Sequence, residues 1–230
     1  MNLTKLETKI KLRFSNPDSL LNAFVHRSYL NEHKDFLLGS NERLEFLGDA
    51  CLELVVSEYL YQHFPEEAEG FLTNLRSALV NTESLAETAK FLGLGEYLLL
   101  SKGEEDGGGR QSRYLLANTF EALLGACYLE TGLDKCREFV ERFLLPKLEL
   151  IIENNLYRDA KSRFQELTQE VLSVTPQYKI IETWGPDHEK HFKAGVFVNE
   201  KNVGEGEGNS KQKAEVEAAQ DALEKWEGDM

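Results

Sequence analysis

The chain has 230 residues, 41% of them hydrophobic and 29% charged, with a formal net charge of −14. These are the proportions of a soluble globular protein long enough for one large domain or two ordinary ones. No stretch approaches the roughly 18 apolar residues of a membrane-spanning helix, and Met1-Asn-Leu-Thr-Lys5 does not read as a secretory signal, so a cytoplasmic protein that engages no membrane is expected.

Residues 1–152 read as helix after helix. Leu20, Leu21, Phe24 and Val25 form a first apolar helical face, and helical patterns recur over 52–60, 72–80, 84–92, 115–131 and 135–150. Gly70, Gly93, Gly95 and Gly132 punctuate them, and no period-2 strand pattern intervenes. The polar, glycine-rich run 101–113 reads as a mobile solvated loop. Cys51, Cys127 and Cys136 are odd in number, make no CxxC pair and sit in helical segments, as buried free thiols of a reducing compartment do.

The most informative segment is Asn41-Glu-Arg-Leu-Glu-Phe-Leu-Gly-Asp-Ala50. Glu42, Glu45 and Asp49 stand at i, i+3 and i+7, which puts them within about 60° of one another on one helix face. Leu44, Leu47, Cys51, Leu54 and Val55 form a separate stripe that is expected to face a core, while Phe46 falls beside the acids. Three like charges this close repel one another, and a cation or a proton relieves that. Acids at helical spacing are more often just a solvated face, but no i,i+4 salt-bridge ladder explains these. A second, smaller cluster follows. Asn118 and Glu121 share a face of a helix whose neighbours are overwhelmingly apolar; by themselves they read equally as a surface acid with a polar filler or as a buried Glu in need of a cation.

The pattern changes near Glu153–Tyr157. A helix is expected over 159–172, strands over 177–183, 191–198 and 201–206, a turn at Gly185-Pro-Asp-His188, and a final helix over 209–226. Helix, three strands and helix make an α+β module, so the predicted organisation is an all-α domain over 1–152, a linker over 153–158 and an α-β-β-β-α domain over 159–228. Neither part is basic: the first 157 residues carry a net −9 and the rest −5. Attraction for phosphate would have to be local, and strongly salt-sensitive. Lys211 and Lys213, at the start of the last helix, are the clearest basic cluster of the module.

Residues 41–50 closely resemble the signature helix of the ribonuclease III family, which cuts double-stranded RNA. Residue by residue, the resemblance implies that Glu45, Asp49 and Glu121 are metal-binding carboxylates, with Asp49 and Glu121 catalytic and Glu42 an accessory acid. Asn118 stands where the family usually has Asp; its amide oxygen can ligate a metal but brings no charge. The implied cofactor is Mg²⁺, for which Mn²⁺ can substitute. Glu69-Gly70 and the run 75–81 match a segment bordering the cleft, so Glu69 is a further acid that can reach metal or RNA. His26-Arg-Ser-Tyr29 also matches and reads as packing, whereas Phe46 matches the aromatic that inserts into the partner subunit of a homodimer.

The last 70 or so residues resemble a double-stranded RNA-binding domain, which reads A-form shape rather than sequence. On that resemblance Ser162, Gln165 and Glu166 meet one minor groove, His188 meets the next, and Ser210, Lys211, Gln212 and Lys213 hold phosphate. Gln212 replaces a common Lys or Arg. The implied activity is endonucleolytic cleavage of duplex RNA to 5′-phosphate and 3′-hydroxyl ends with short 3′ overhangs, serving ribosomal RNA processing and messenger decay. The competing expectation is a dimer that binds duplex RNA with little or no cutting because of Asn118.

Overall fold

A computed structural model describes residues 2–157, 160–186 and 190–228, in two compact units, Met1–Tyr157 and Arg158–Met230. The first unit is helical. Its helices are α1 (Leu3–Ile10), α2 (Pro17–Asn22), α3 (Arg27–Glu32), α4 (Glu42–His63), α5 (Glu69–Val80) and α6 (Thr82–Leu92). They continue with α7 (Lys102–Asp106), α8 (Arg113–Thr131), α9 (Leu133–Phe143) and α10 (Lys147–Glu153). Local chemistry sets many of the starts: Asn2, Asn16, Asn81 and Ser101 accept from backbone N–H groups of the first turns of α1, α2, α6 and α7. Pro17 opens α2, where its missing N–H costs nothing, and Gly93, in the left-handed region at φ 71°, closes α6.

The core of this unit is built around α8. Leu116, Ala117, Phe120, Ala122, Leu123, Leu124, Ala126 and Cys127 are all buried, so the helix is covered on most of its circumference. Full burial of Phe24, Phe120 and Phe139 stabilises the unit by on the order of 2–3 kcal/mol each.

Helices α4 and α8 approach each other backbone to backbone. A Cβ on Gly48 would collide with the Glu121 carbonyl oxygen and lie 2.8 Å from the Gly125 nitrogen. A Cβ on Gly125 would collide with the Leu44 carbonyl oxygen and lie 3.1 Å from the Gly48 nitrogen. Glycine inside a helix costs about 1 kcal/mol relative to alanine. Here two facing glycines remove the side chains that would hold the helices apart.

Some local expectations change. The helix begun at Leu20 stops at Asn22, and Val25 instead bridges Leu99, with the Leu99 N–H donating to the Phe24 carbonyl at 2.8 Å. The expected mobile loop 101–113 is folded: α7 fills part of it, and Arg110 Nη1 donates to the Gly95 and Leu98 carbonyls at 3.0 and 2.9 Å. The helix expected over 135–150 breaks between α9 and α10, at a segment containing Pro146, which has no N–H to continue the ladder. Leu54 is not a core residue but 54% exposed, because the buried arc of α4 is Gly48, Cys51, Leu52, Val55, Val56 and Leu60. The chain up to Tyr157 belongs to the helical unit, with the Tyr157 ring edge-on to Phe71 at 5.0 Å.

The second unit contains α11 (Ala160–Leu172), β1 (Gln177–Trp184), β2 (His191–Val198), β3 (Lys201–Gly208) and α12 (Lys211–Gly228). The strands form one antiparallel sheet in the order β1-β2-β3, with a register shift at Ile180/Glu182. Phe164, Ala194, Val196 and Leu223 form its core with Ala214, Ala218, Ala219 and Ala222 of α12. Those alanines lie on the β3 glycines; a Cβ on Gly204 would stand 2.7 Å from the Ala222 Cβ. The all-α unit followed by an α-β-β-β-α unit is the fold class that the sequence predicts.

Gly48→Ala and Gly125→Ala are each expected to destabilise the helical unit by about 2–3 kcal/mol through overpacking. Gly103→Ala, in an open stretch of α7 with nothing within 4 Å of the new methyl, is expected to leave stability unchanged or slightly higher. Urea denaturation of the three variants checks the contrast.

Candidate active site and nucleic-acid interface

The α4–α8 crossing brings the two acidic clusters together. Glu42, Glu45 and Asp49 come from α4, and Asn118 and Glu121 from α8. Glu45 and Asn118 line a hollow of ≈ 240 Å³ with His26, Arg27 and Glu42. Glu121 is half-buried, and its carboxyl is pushed up to about 7, first by burial and then by the charges of Asp49 and Glu45. Glu45 is raised as well, chiefly by burial, with Glu42 and Asp49 adding to it and a hydrogen bond to the Asn118 amide working against it. The site is therefore a partly desolvated knot of negative charge, held in place by apolar packing beneath it.

Glu42 sits at the rim of this knot. It accepts from Ser40 Oγ at 2.9 Å and faces Arg27 of α3 at 3.7 Å, both groups being well exposed. Its partner thus comes from another helix. Glu69 is not drawn into the hollow: its carboxylate accepts from Thr73 Oγ1 at 2.9 Å and lines a separate groove with Leu54, Tyr61 and Leu72. Phe46 is 80% exposed, and with Leu54 and Tyr61 it gives α4 a second apolar face directed away from the core.

His26, read from sequence as packing, caps the start of α3 and also lines the hollow. Burial is the main cause of its lowered pKa, opposed by Glu104 and Glu42 and reinforced by Arg27. Gly48 and Gly125, which make the crossing possible, carry no functional group. Their only sequence signal is glycine in the interior of two long apolar helices.

Among the described residues no group of three or more His, Cys, Asp or Glu side chains is disposed to hold a metal ion by itself. Mg²⁺ keeps several of its waters and takes one or two carboxylates, so such a cage is not required. Glu45, Asp49, Glu121 and the Asn118 amide offer oxygen ligands, and the repulsion among the three carboxylates is of the kind a divalent cation relieves. The donor set fits the ion. Cys51, Cys127 and Cys136 are buried free thiols of the helical core.

In the second unit Ser162, Gln165 and Glu166 are exposed on α11, at i, i+3 and i+4. Lys211, Gln212 and Lys213 are exposed in the first turn of α12. The Ser210 hydroxyl accepts from the Lys213 N–H at 3.2 Å, so Ser210 caps this helix. Lys161 of α11 pairs with Glu215 of α12 at 2.7 Å, tying the two surfaces together. His188 lies outside the described residues.

The Ribonuclease-III-like family matches residues 16–148, which contain the whole α4–α8 site, and the double-stranded RNA binding motif matches residues 160–226. The chain belongs to the ribonuclease III family. Ribonuclease 3 of Geobacillus kaustophilus (strain HTA426) is 49% identical over 220 residues, covering 96% of this chain and 89% of that one. Ribonuclease 3 of Dehalococcoides mccartyi (strain ATCC BAA-2266 / KCTC 15142 / 195) is 43% identical over 227 residues, covering 99% and 96%. The solved nuclease domain of ribonuclease III from Campylobacter jejuni, described for flexibility in a region involved in dimer formation, is 40% identical with a TM-score of 0.59; it covers 63% of this chain and 97% of its own. This ribonuclease III chain is an endoribonuclease of double-stranded RNA carrying its own duplex-RNA-binding module. No helix among its described residues is long and apolar enough to cross a membrane.

Glu121 yields a stability prediction. Its carboxyl loses a proton near 7 in the fold but near the ordinary 4.5 when unfolded, so between these values the native state holds more protons. Stability contributed by this group therefore falls as pH rises from 4.5 through 7, and the penalty is complete above 7. With a chelator present, Glu121→Gln is expected to be more stable than the parent at pH ~8 by about 1–2 kcal/mol, discounted for partial solvent screening, and equal to it at pH ~4. Denaturation at the two pH values measures this.

Proposed function

We propose that this ribonuclease III cuts duplex RNA with Mg²⁺ held by Glu45, Asp49, Glu121 and the Asn118 amide, Mn²⁺ being able to substitute. The observation that carries this reading is the Glu121 carboxyl, lifted to about 7 by burial and by two neighbouring carboxylates in a cluster of oxygen donors. When bound, such an ion lowers the pKa of a water that attacks the phosphodiester and neutralises charge on the leaving oxygen. Glu121 and Asp49 act as the catalytic carboxylates. Glu42, tethered by Ser40 and Arg27 at the rim, serves as an accessory acid that accepts hydrogen bonds from the bound strand. The products are 5′-phosphate and 3′-hydroxyl ends with short 3′ overhangs, and the cellular work is ribosomal RNA processing and messenger decay in the cytoplasm.

The working form is a homodimer. Phe46, Leu54 and Tyr61 form an exposed apolar face on α4, and the adjoining groove of ≈ 430 Å³, lined in part by Leu54, Tyr61 and Leu72, has room for an aromatic side chain. A two-fold pairing in which Phe46 enters that groove on the partner uses the same patch on both copies. It also carries Glu69 on the groove rim toward the other protomer.

A second reading, a duplex-RNA-binding dimer with little turnover, draws on the amide at Asn118: one fewer charge weakens the hold on the cation. Long duplex RNA incubated with and without Mg²⁺ separates the two. The nuclease reading expects short 5′-phosphorylated products that require Mg²⁺, with Glu121→Gln binding RNA but turning over at least about 100-fold more slowly. Binding without cutting, restored by Asn118→Asp, selects the second reading.

The RNA-binding surface is Ser162, Gln165 and Glu166 on α11, His188, and the start of α12, where Lys211 and Lys213 meet phosphate beside Gln212 and the capping Ser210. Lys211→Ala with Lys213→Ala is expected to weaken binding and flatten its salt dependence by about two counterions. A salt slope equal to the parent's counts against phosphate contact.

A further inference from the structure

His26 is an unusual wall for an acidic hollow. Its ring has two nitrogens, and the protein fixes what each can do. The Ser28 backbone N–H, which can only donate, points at Nδ1 at 3.3 Å. With Nδ1 made an acceptor by that N–H, the Ser28 hydroxyl 2.8 Å away donates to the same nitrogen while it accepts from the Ser101 N–H at 3.0 Å. Nδ1 is thus an acceptor twice over, and the ring proton resides on Nε2. Among the described residues no protein group accepts that proton, and His26 lines the hollow. The remaining walls include Glu42, Glu45 and Asn118, which offer acceptor oxygens.

This set selects its ligand by chemistry. The hollow of ≈ 240 Å³ has two carboxylates, Glu42 and Glu45, against one cation, Arg27, which already faces Glu42 at 3.7 Å, so the side chains by themselves do not favour an anion. A neutral hydroxyl fits both kinds of wall: it accepts from His26 Nε2–H and donates to a carboxylate or to the Asn118 amide oxygen. The duplex-RNA group that is both donor and acceptor, and that DNA lacks, is the ribose 2′-hydroxyl. Building on the nuclease reading above, we propose that this hollow receives the 2′-hydroxyl of one nucleotide near the cut, with His26 Nε2–H as its donor and Ser28 as the residue that holds the ring in the donating tautomer. His26 then helps to distinguish RNA from DNA at the cleavage centre itself, separately from the binding module.

The test uses a short duplex RNA with one cut site, first unsubstituted and then as a series with a single 2′-deoxy nucleotide walked across the positions flanking the cut. Cutting of the unsubstituted duplex by the wild-type protein is scored first. Failure of the nuclease reading appears there as no cutting, and failure of this proposal as cutting with the wrong pattern. The expected result is one position at which 2′-deoxy lowers kcat/KM about 10-fold in the wild-type protein. His26→Ala should cut the all-ribose duplex about 10-fold more slowly and be indifferent to deoxy substitution at that one position, while penalties elsewhere persist. His26→Gln, whose amide N–H reaches toward the Nε2 position, should keep part of the discrimination. Ser28→Ala, which frees the tautomer, should shrink the same penalty, and it carries the test if His26→Ala does not fold. A deoxy profile in the variants that matches the wild type at every position overturns the proposal.

Discussion

The site depends on one steric fact: α4 and α8 touch through their backbones at Gly48 and Gly125. Helices normally stand 8–10 Å apart because side chains intervene. Removing two of them lets Glu45 and Asp49 on one helix face Asn118 and Glu121 on the other, residues far apart in the sequence. The apolar residues of α8 then fix that crossing from below, so the carboxylates cannot separate to relieve their repulsion. The raised Glu121 carboxyl is the electrostatic consequence of this packing.

The same reasoning accounts for how an acidic protein engages a polyanion. The chain carries −14 overall, and neither unit is basic, so no long-range field draws RNA in. Favourable charge is local. On the proposed reading it includes the exposed lysines opening α12, where free N–H groups favour phosphate, and a cation held by the α4–α8 carboxylates. Lys161 is tied to Glu215, which makes it a strut between α11 and α12. Its charge is thereby largely balanced.

Much of this was legible in the sequence because helical period translates spacing into shared faces. Glu42, Glu45 and Asp49 had to lie together, and so did Asn118 and Glu121; the switch to alternating residues after Tyr157 marked the α+β unit. That the two acidic faces meet does not follow from either pattern, since it is set by a glycine pair whose residues have no chemistry of their own. Leu54 was misread as core because α4 is apolar on two faces and periodicity cannot say which one is covered. The run 101–113 looked mobile because its anchors are carbonyl oxygens, which Arg110 reaches through the fold and composition cannot show. The sequence reading of His26 as packing agrees with its place as the cap of α3, whereas its position on the hollow is set by the fold and has no local signal.

A divalent cation bound at the crossing would displace the proton that burial, and then the charges of Asp49 and Glu45, hold on Glu121 up to about 7. Calorimetric titration of Mn²⁺ into the protein near pH 7, in two buffers of different ionisation enthalpy, tests it directly. The heats are expected to differ between the buffers, because the cation displaces a proton from the raised Glu121 carboxyl, and Glu121→Gln is expected to abolish the difference. Equal heats in both buffers, with Mn²⁺ still bound, would contradict it.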